Sequence, residues 1–155
     1  MSDSYRMLRD QEAPLTPLLD KTVAVLGFGN QGHAHALNLR DSGVKVIVAN
    51  RSSSPNGKLA IEKGFELVCG PDAVKVADLV IMALPDESQP EIFERHVKPY
   101  LRAGMAVGFI HGFNIHFKTI IPPEDVDVIL VSPKGPGRLV RSHFENGLGV
   151  PCLVG

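Results

Sequence analysis

Residues 22–39, TVAVLGFGNQGHAHALNL, constrain this chain more than any other stretch, because they read as a strand, a glycine turn and a helix in unbroken succession. Residues 22–26 are β-branched and apolar, the composition of a strand buried on both faces. Gly27, Gly29 and Gly32 then give G-x-G-x-x-G, the pattern of a dinucleotide site when it follows a strand, opens a helix and leads to a second strand. Each glycine has its own task. Gly27 permits the tight turn, Gly29 lets the backbone approach a pyrophosphate, and Gly32 lets the helix pack close to the strand. The helix N-terminus presents free N–H groups and the positive end of its dipole to the phosphates.

The rest of the chain extends that unit. After the first helix, with Ala34, Leu37 and Leu39 as apolar positions, Ser42-Gly43 is a stop and 44–49, VKVIVA, is a second strand; this completes a βαβ unit. Residues 55–63 form a second helix closed by Gly64, residues 66–68 a short third strand, and Pro71-Asp72 opens another helical turn. Residues 78–84, DLVIMAL, are strand four. Residues 87–101 carry Ile92, Phe93, Val97 and Leu101 at helical spacing, with Pro90 in the first turn and Pro99 bending the end. Strand five is 105–110, a short helix follows over 111–117, strand six is 126–131, and 150–154 has the pattern of a further strand. Residues 1–20, with Pro14 and Pro17, are expected to be a loose arm or short helix ahead of a single domain over 21–155.

Strands alternating with helices imply an α/β, doubly wound, mostly parallel sheet (a Rossmann fold) with right-handed crossovers and order 3-2-1-4-5-6. Ligands in such sheets sit at the carboxyl ends of the strands. The segments following strands one, two, four, five and six are polar or glycine-rich, so the chemistry collects on one edge.

Composition removes several function classes. The 155 residues are 44% hydrophobic, enough for one sizeable core. Sixteen basic and 17 acidic residues are interspersed for a formal net charge of -1, which argues against nucleic acid or an anionic membrane as the main partner. Cys69 and Cys152 form no C-x-x-C pair, so neither a disulfide framework nor a zinc site is indicated and a reducing cytoplasm fits. The N-terminus has no apolar core of a signal peptide, and no run of 18 apolar residues occurs.

Individual positions refine the site. At the end of strand two an NAD-binding domain places Asp or Glu for the ribose hydroxyls. Here Asn50-Arg51 is followed by Ser52, Ser53 and Ser54, a guanidinium and hydroxyl donors where a 2′-phosphate would lie, which favours NADP; the alternative is a solvated basic loop. His33 and His35 are two residues apart on a helix, pointing roughly 200° from each other, and cannot share a metal; they are structural or contact the cofactor's surroundings. His111 ends strand five on the ligand edge, placed to contact substrate or serve as acid or base, or else to cap the next helix. Lys134, one strand further on, either holds a substrate carboxylate or is an exposed loop lysine. No carboxylate cluster with metal-ligand spacing occurs, so no metal site is expected within this chain.

These residues resemble one family, ketol-acid reductoisomerase, also called acetohydroxyacid isomeroreductase. The resemblance rests on GFGNQGHAHALNLRDSG from Gly27, ALPDESQ from Ala83, FIHGFNIHF from Phe109 and VSPKGPGRLVRSHF from Val131, in the family's order, and covers residues 20–155. It implies Mg²⁺-dependent alkyl migration in 2-acetolactate or 2-aceto-2-hydroxybutyrate, followed by reduction with NADPH, in branched-chain amino-acid biosynthesis. Carried over by position, it implies a cofactor set of Phe28, Asn30, Gln31, Arg51, Ser54, Asn56, Asp86, Glu87, Ser88, Gln89 and Gly137 beside the three glycines, His111 as the active-site histidine and Lys134 beside the substrate. The family commonly has serine where Asn30 stands, serine or threonine at Asn56 and histidine at Arg138.

The resemblance further implies an all-helical C-terminal domain, absent here, that supplies the Mg²⁺ carboxylates and most of the dimer interface, so the complete enzyme is expected to be a homo-oligomer and this piece to bind cofactor without turnover. The competing function class is a free-standing NADP-binding module that senses the nucleotide or partners another chain.

Overall fold

A computed structural model describes residues 6–9 and 12–155; part of the expected N-terminal arm, residues 1–5 and 10–11, lies outside the described residues. The described part of the arm ends in a short helix, α1 (Thr16–Leu19). Then follow β1 (Thr22–Leu26), α2 (Gly32–Asp41), β2 (Lys45–Ala49), α3 (Pro55–Glu62), β3 (Leu67–Val68), α4 (Gly70–Val76), β4 (Leu79–Met82) and α5 (Gln89–Ile92). The chain finishes with β5 (Ala106–Phe109), α6 (Phe113–His116), β6 (Asp127–Pro133), α7 (Gly137–Glu145) and β7 (Cys152–Val154).

The sheet order is β3-β2-β1-β4-β5-β6-β7. The first six strands are parallel and follow the order expected from the sequence; Val25 lies opposite Val48 on one side and Ile81 on the other. The seventh runs antiparallel to β6, pairing Val131 with Val154 and Pro133 with Cys152. The expected final strand is therefore present, shortened and reversed.

Alternation along the strands divides the interior in two. Ala24 and Leu26 of β1, with Val80 and Met82 of β4, face a core completed by Ala73 and Val74 of α4, Phe93, Val97 and Phe109. Val23 and Val25, with Leu79, face a second core with Ala36 and Leu37 of α2, Ala60 of α3, Phe28 and Phe65. All five β1 residues are buried, as a central parallel strand with helices on both faces demands.

Two segments depart from the sequence reading. The expected helix over 87–101 begins as α5, widens to a π-helical turn at Phe93–Val97 and tightens to a 3₁₀ turn at Lys98–Tyr100. Pro99 has no N–H with which to continue the ladder, and the wide turn keeps Phe93 and Val97 both fully buried. Helix α7 has no counterpart in the sequence reading. It packs on α2 rather than on the sheet, with Arg141 donating to Asn38 Oδ1 at 2.9 Å and Asp41 Oδ2 at 2.6 Å.

Candidate functional site

The glycine turn is held by contacts that leave three glycines no choice. Gly27 has φ +98°, and a Cβ there would lie 2.5 Å from the Ala83 carbonyl oxygen; a Cβ on Gly32 would lie 2.3 Å from the Gly27 oxygen. On Gly137, the first residue of α7, it would fall 1.4 Å from the Asn30 oxygen. Gly29 differs, since a Cβ there would meet nothing nearer than Asn56 Nδ2 at 3.7 Å. Packing within the chain therefore does not require glycine at 29, whereas a pyrophosphate lying against its backbone does. In this respect the residues present fit a dinucleotide.

Further contacts steady the turn. His33 Nδ1 lies 3.0 Å from the Gly29 carbonyl, and Gln31 Nε2 donates to the Gly135 carbonyl at 2.8 Å, tying the turn to the loop after β6. His33 is thus a structural residue of this turn. His35 sits two residues further along α2, on the opposite side of the helix, with its Nε2 buried and unpartnered, and burial, then the neighbouring His33, lowers its pKa to about 4.

A cleft of about 990 Å³ runs along the carboxyl edge of the sheet. Its walls include Gly27, Phe28, Gly29, Asn30 and Gln31 from the turn, Arg51, Ser54 and Asn56 after β2, Asp86, Ser88 and Gln89 after β4, and His111 after β5. Four expected site residues do not line it. Gly32 and Gly137 are buried behind the turn, Glu87 is exposed to solvent, and Lys134 is exposed beyond β6 with Nζ donating to Ser132 Oγ at 2.9 Å. Phe28, for its part, is 1% exposed and packs edge-on against Phe65.

At the β2 end, Ser54 is the N-cap of α3: its Oγ accepts from Gly57 N at 3.0 Å and donates to the Arg51 carbonyl at 2.7 Å. Gly57 lets that first turn close on Arg51, whose carbonyl oxygen would sit 2.0 Å from a Cβ. Arg51 itself is exposed, and its N–H is held by Asn50 Oδ1 at 2.8 Å. At the other end, Asp86 Oδ2 lies 2.5 Å from His111 Nδ1, and the His111 ring stacks on Phe113 with centroids 6.3 Å apart.

The sequence reading missed part of the cleft: Val68, Pro71, Ile92 and His96 also line it. For Val68 and Pro71 the signal was present, because β3 ends on the same edge as its neighbours and the rule about carboxyl ends applies to it equally; Ile92 and His96 enter from α5 and the π-helical turn that follows it. Among the described residues no group of three or more His, Cys, Asp or Glu side chains is placed to hold a metal ion, and no helix is long and apolar enough to cross a membrane.

Comparison with known proteins agrees with this geometry. Residues 17–155 match the family model for the acetohydroxy acid isomeroreductase NADPH-binding domain. The chain is 54% identical over 145 residues to a ketol-acid reductoisomerase (NADP(+)) of Pyrococcus abyssi (strain GE5 / Orsay), an alignment spanning 94% of this chain and 44% of that protein. Among solved structures, an NADH-preferring ketol-acid reductoisomerase from an uncultured archean superposes with a TM-score of 0.94 at 46% identity, over 97% of this chain and 47% of the other. A semialdehyde dehydrogenase NAD-binding protein from Cupriavidus necator shares the fold more distantly, with a TM-score of 0.66 at 26% identity over 74% of this chain and 42% of that one. This chain thus spans less than half the length of each relative. By the family match along nearly its whole length, and with a glycine turn and cleft of the kind such a domain requires, the chain belongs to the acetohydroxy acid isomeroreductase family, as its NADPH-binding domain.

Proposed function

We propose that the chain is the cofactor half of a Mg²⁺-dependent ketol-acid reductoisomerase that converts 2-acetolactate to 2,3-dihydroxyisovalerate in branched-chain amino-acid biosynthesis, acting in the cytoplasm as part of a homo-oligomer. The observation that carries this reading is that one cleft contains both the glycine turn and the Asp86–His111 pair. A nucleotide seated on the turn is thereby brought into the same space as a proton-handling group. A free-standing sensor module is disfavoured, because the similar proteins above that share about half of this chain's residues are both named as reductoisomerases.

In this reading the backbone of Gly27, Phe28, Gly29, Asn30 and Gln31 binds the pyrophosphate, with Gly32 and Gly137 shaping the turn from behind. Arg51, Ser54 and Asn56 receive the 2′-phosphate, the Arg51 guanidinium as a charged donor and the Ser54 hydroxyl by turning its proton away from the Arg51 carbonyl, with no carboxylate to compete. Asp86, Ser88 and Gln89 border the cofactor after β4, while Glu87, carried over with them, faces solvent outside the cleft. NADPH, when bound, supplies the hydride. His111 holds or moves a proton at the substrate, and Lys134 offers positive charge to a substrate carboxylate once the neighbouring polypeptide completes the site. The described residues do not fit Mg²⁺, so no step here is routed through the metal.

Purified complete enzyme tests the reading: 2-acetolactate should drive NADPH oxidation only with Mg²⁺, and His111→Gln should lower kcat by about 10²-fold or more, the scale of lost acid–base help, while leaving NADPH affinity and Tm unchanged. No acetolactate-dependent oxidation would remove the reading. A variant with a lowered Tm and normal turnover per folded molecule would make His111 a structural cap.

A further inference from the structure

Five polar side chains form one hydrogen-bonded relay from the interior to the cleft. Thr119 Oγ1 donates to Asn114 Oδ1 at 2.5 Å. Asn114 Nδ2 donates both to the Asp86 carbonyl at 3.0 Å and to Gln89 Oε1 at 3.1 Å. Gln89 Nε2 in turn donates to the Leu84 carbonyl at 2.7 Å and reaches Asp86 Oδ1 at 3.4 Å. Asn114 and Gln89 are 1% and 2% exposed, so their amide groups must find partners within the protein and not in solvent.

What the amides accomplish is backbone fixation. They grip the carbonyls of Leu84 and Asp86, on either side of Pro85, and so hold the loop after β4 in one conformation. The Asp86 carboxylate is thereby presented to His111 on the neighbouring strand end, and Phe113 stacks along one face of the imidazole.

We propose that Asp86, set by this relay, is a positioning residue that selects the tautomer of His111. An ionised carboxylate only accepts. The neutral imidazole therefore carries its proton on Nδ1, against Asp86, and its Nε2 is the acceptor available to a ligand. Without such a partner a histidine distributes its proton between both nitrogens, and only part of the population is ready to accept at Nε2; a carboxylate on Nδ1–H removes that loss. The assignment rests on the proposed function only in giving Nε2 a substrate to serve.

Ring ¹⁵N spectra of this chain test it, recorded at about pH 8, above the usual imidazole pKa. The expected wild-type spectrum shows His111 Nδ1 protonated and Nε2 unprotonated. Asp86→Ala removes the carboxylate but keeps the carbonyl that Asn114 grips, and should return His111 to a mixture of tautomers while the backbone amide spectrum stays native. A wild-type His111 protonated on Nε2, or a folded Asp86→Ala chain with the wild-type ring pattern, would overturn the proposal. Should Asp86→Ala fail to fold, the wild-type spectrum alone decides. Adding NADPH to the same sample separates the two readings, since absence of any response removes the cofactor site while the ring nitrogens still report the tautomer.

Discussion

A single Cβ distinguishes two kinds of glycine in this domain. At Gly137 it would overlap the Asn30 carbonyl at 1.4 Å, a backbone atom of the turn itself, whereas at Gly29 it would reach only Asn56 Nδ2 at 3.7 Å. Gly137→Ala should therefore cost about 3 kcal/mol or more of stability, because backbone cannot yield as a side-chain tip can. Gly29→Ala should stay within about 0.5 kcal/mol of wild type yet lose NADPH affinity, since only the ligand would meet the methyl group. Thermal melts paired with nucleotide titrations separate the two; equal destabilisation with affinity retained at Gly29 would refute the assignment. His35 supplies the pH counterpart. Its pKa falls from 6.5 to about 4 through burial and then His33, so between those values the unfolded chain binds a proton that the folded chain refuses. Stability rises with pH across that window and is lost as pH falls through it, by about 3 kcal/mol in full at about 1.36 kcal/mol per pKa unit. Because the buried Nε2 has no partner to lose, His35→Leu should flatten that slope, as urea titrations from pH 7 down to pH 4 would record; an unchanged slope would show that other groups set it.

Helix α7 is the element that locks the nucleotide turn to the rest of the fold. Arg141, with a side chain 16% exposed, donates to Asn38, Asp41 and Glu145, and its hydrogen bond holds the Asp41 carboxyl below the usual carboxylate range. Arg141→Ala should lower stability by about 1–2 kcal/mol, with less effect in high salt, because the partners it leaves are near enough to water to be resolvated; a variant as stable as wild type would mean that the α2–α7 contact is carried by Gly137 and Gln31 alone. This helix also marks where the sequence stopped being legible. Strands β1 to β6 and their order were readable, since apolar runs such as 22–26 and 78–84 have one way to be buried in an α/β sheet. Helix α7 was passed over although Leu139, Val140 and Phe144 share one helical face; what seats it is Gly137 against the Asn30 backbone and Arg141 on the polar Asn38 and Asp41 of α2, partners that local spacing does not name. The π turn was invisible for another reason, since one extra residue in a turn leaves the spacing of Phe93 and Val97 helical. In the site, the glycine turn was legible because its glycines are local. The Asp86–His111 pair spans 25 residues and exists only once β4 and β5 lie side by side, although both residues lie in the loops that leave the ends of these adjacent strands.

At the scale of the whole molecule, a doubly wound sheet gathers the ends of β1 to β5 into one cleft, and the identity of the nucleotide is decided at its rim. The relative described as NADH-preferring has nearly the same fold, with a TM-score of 0.94, so the architecture alone does not set the preference, which in the proposed function lies with the side chains after β2. In this chain those side chains are Arg51 and Ser54, with no carboxylate beside them. The measurement that tests the central claim most directly is calorimetric titration of this domain with NADPH and with NADH. NADPH is predicted to bind about ten- to a hundredfold more tightly, the worth of one charge-assisted contact of about 1.5–3 kcal/mol, and Arg51→Ala to abolish the difference. Equal affinities for the two nucleotides, or a preference that survives Arg51→Ala, would contradict it.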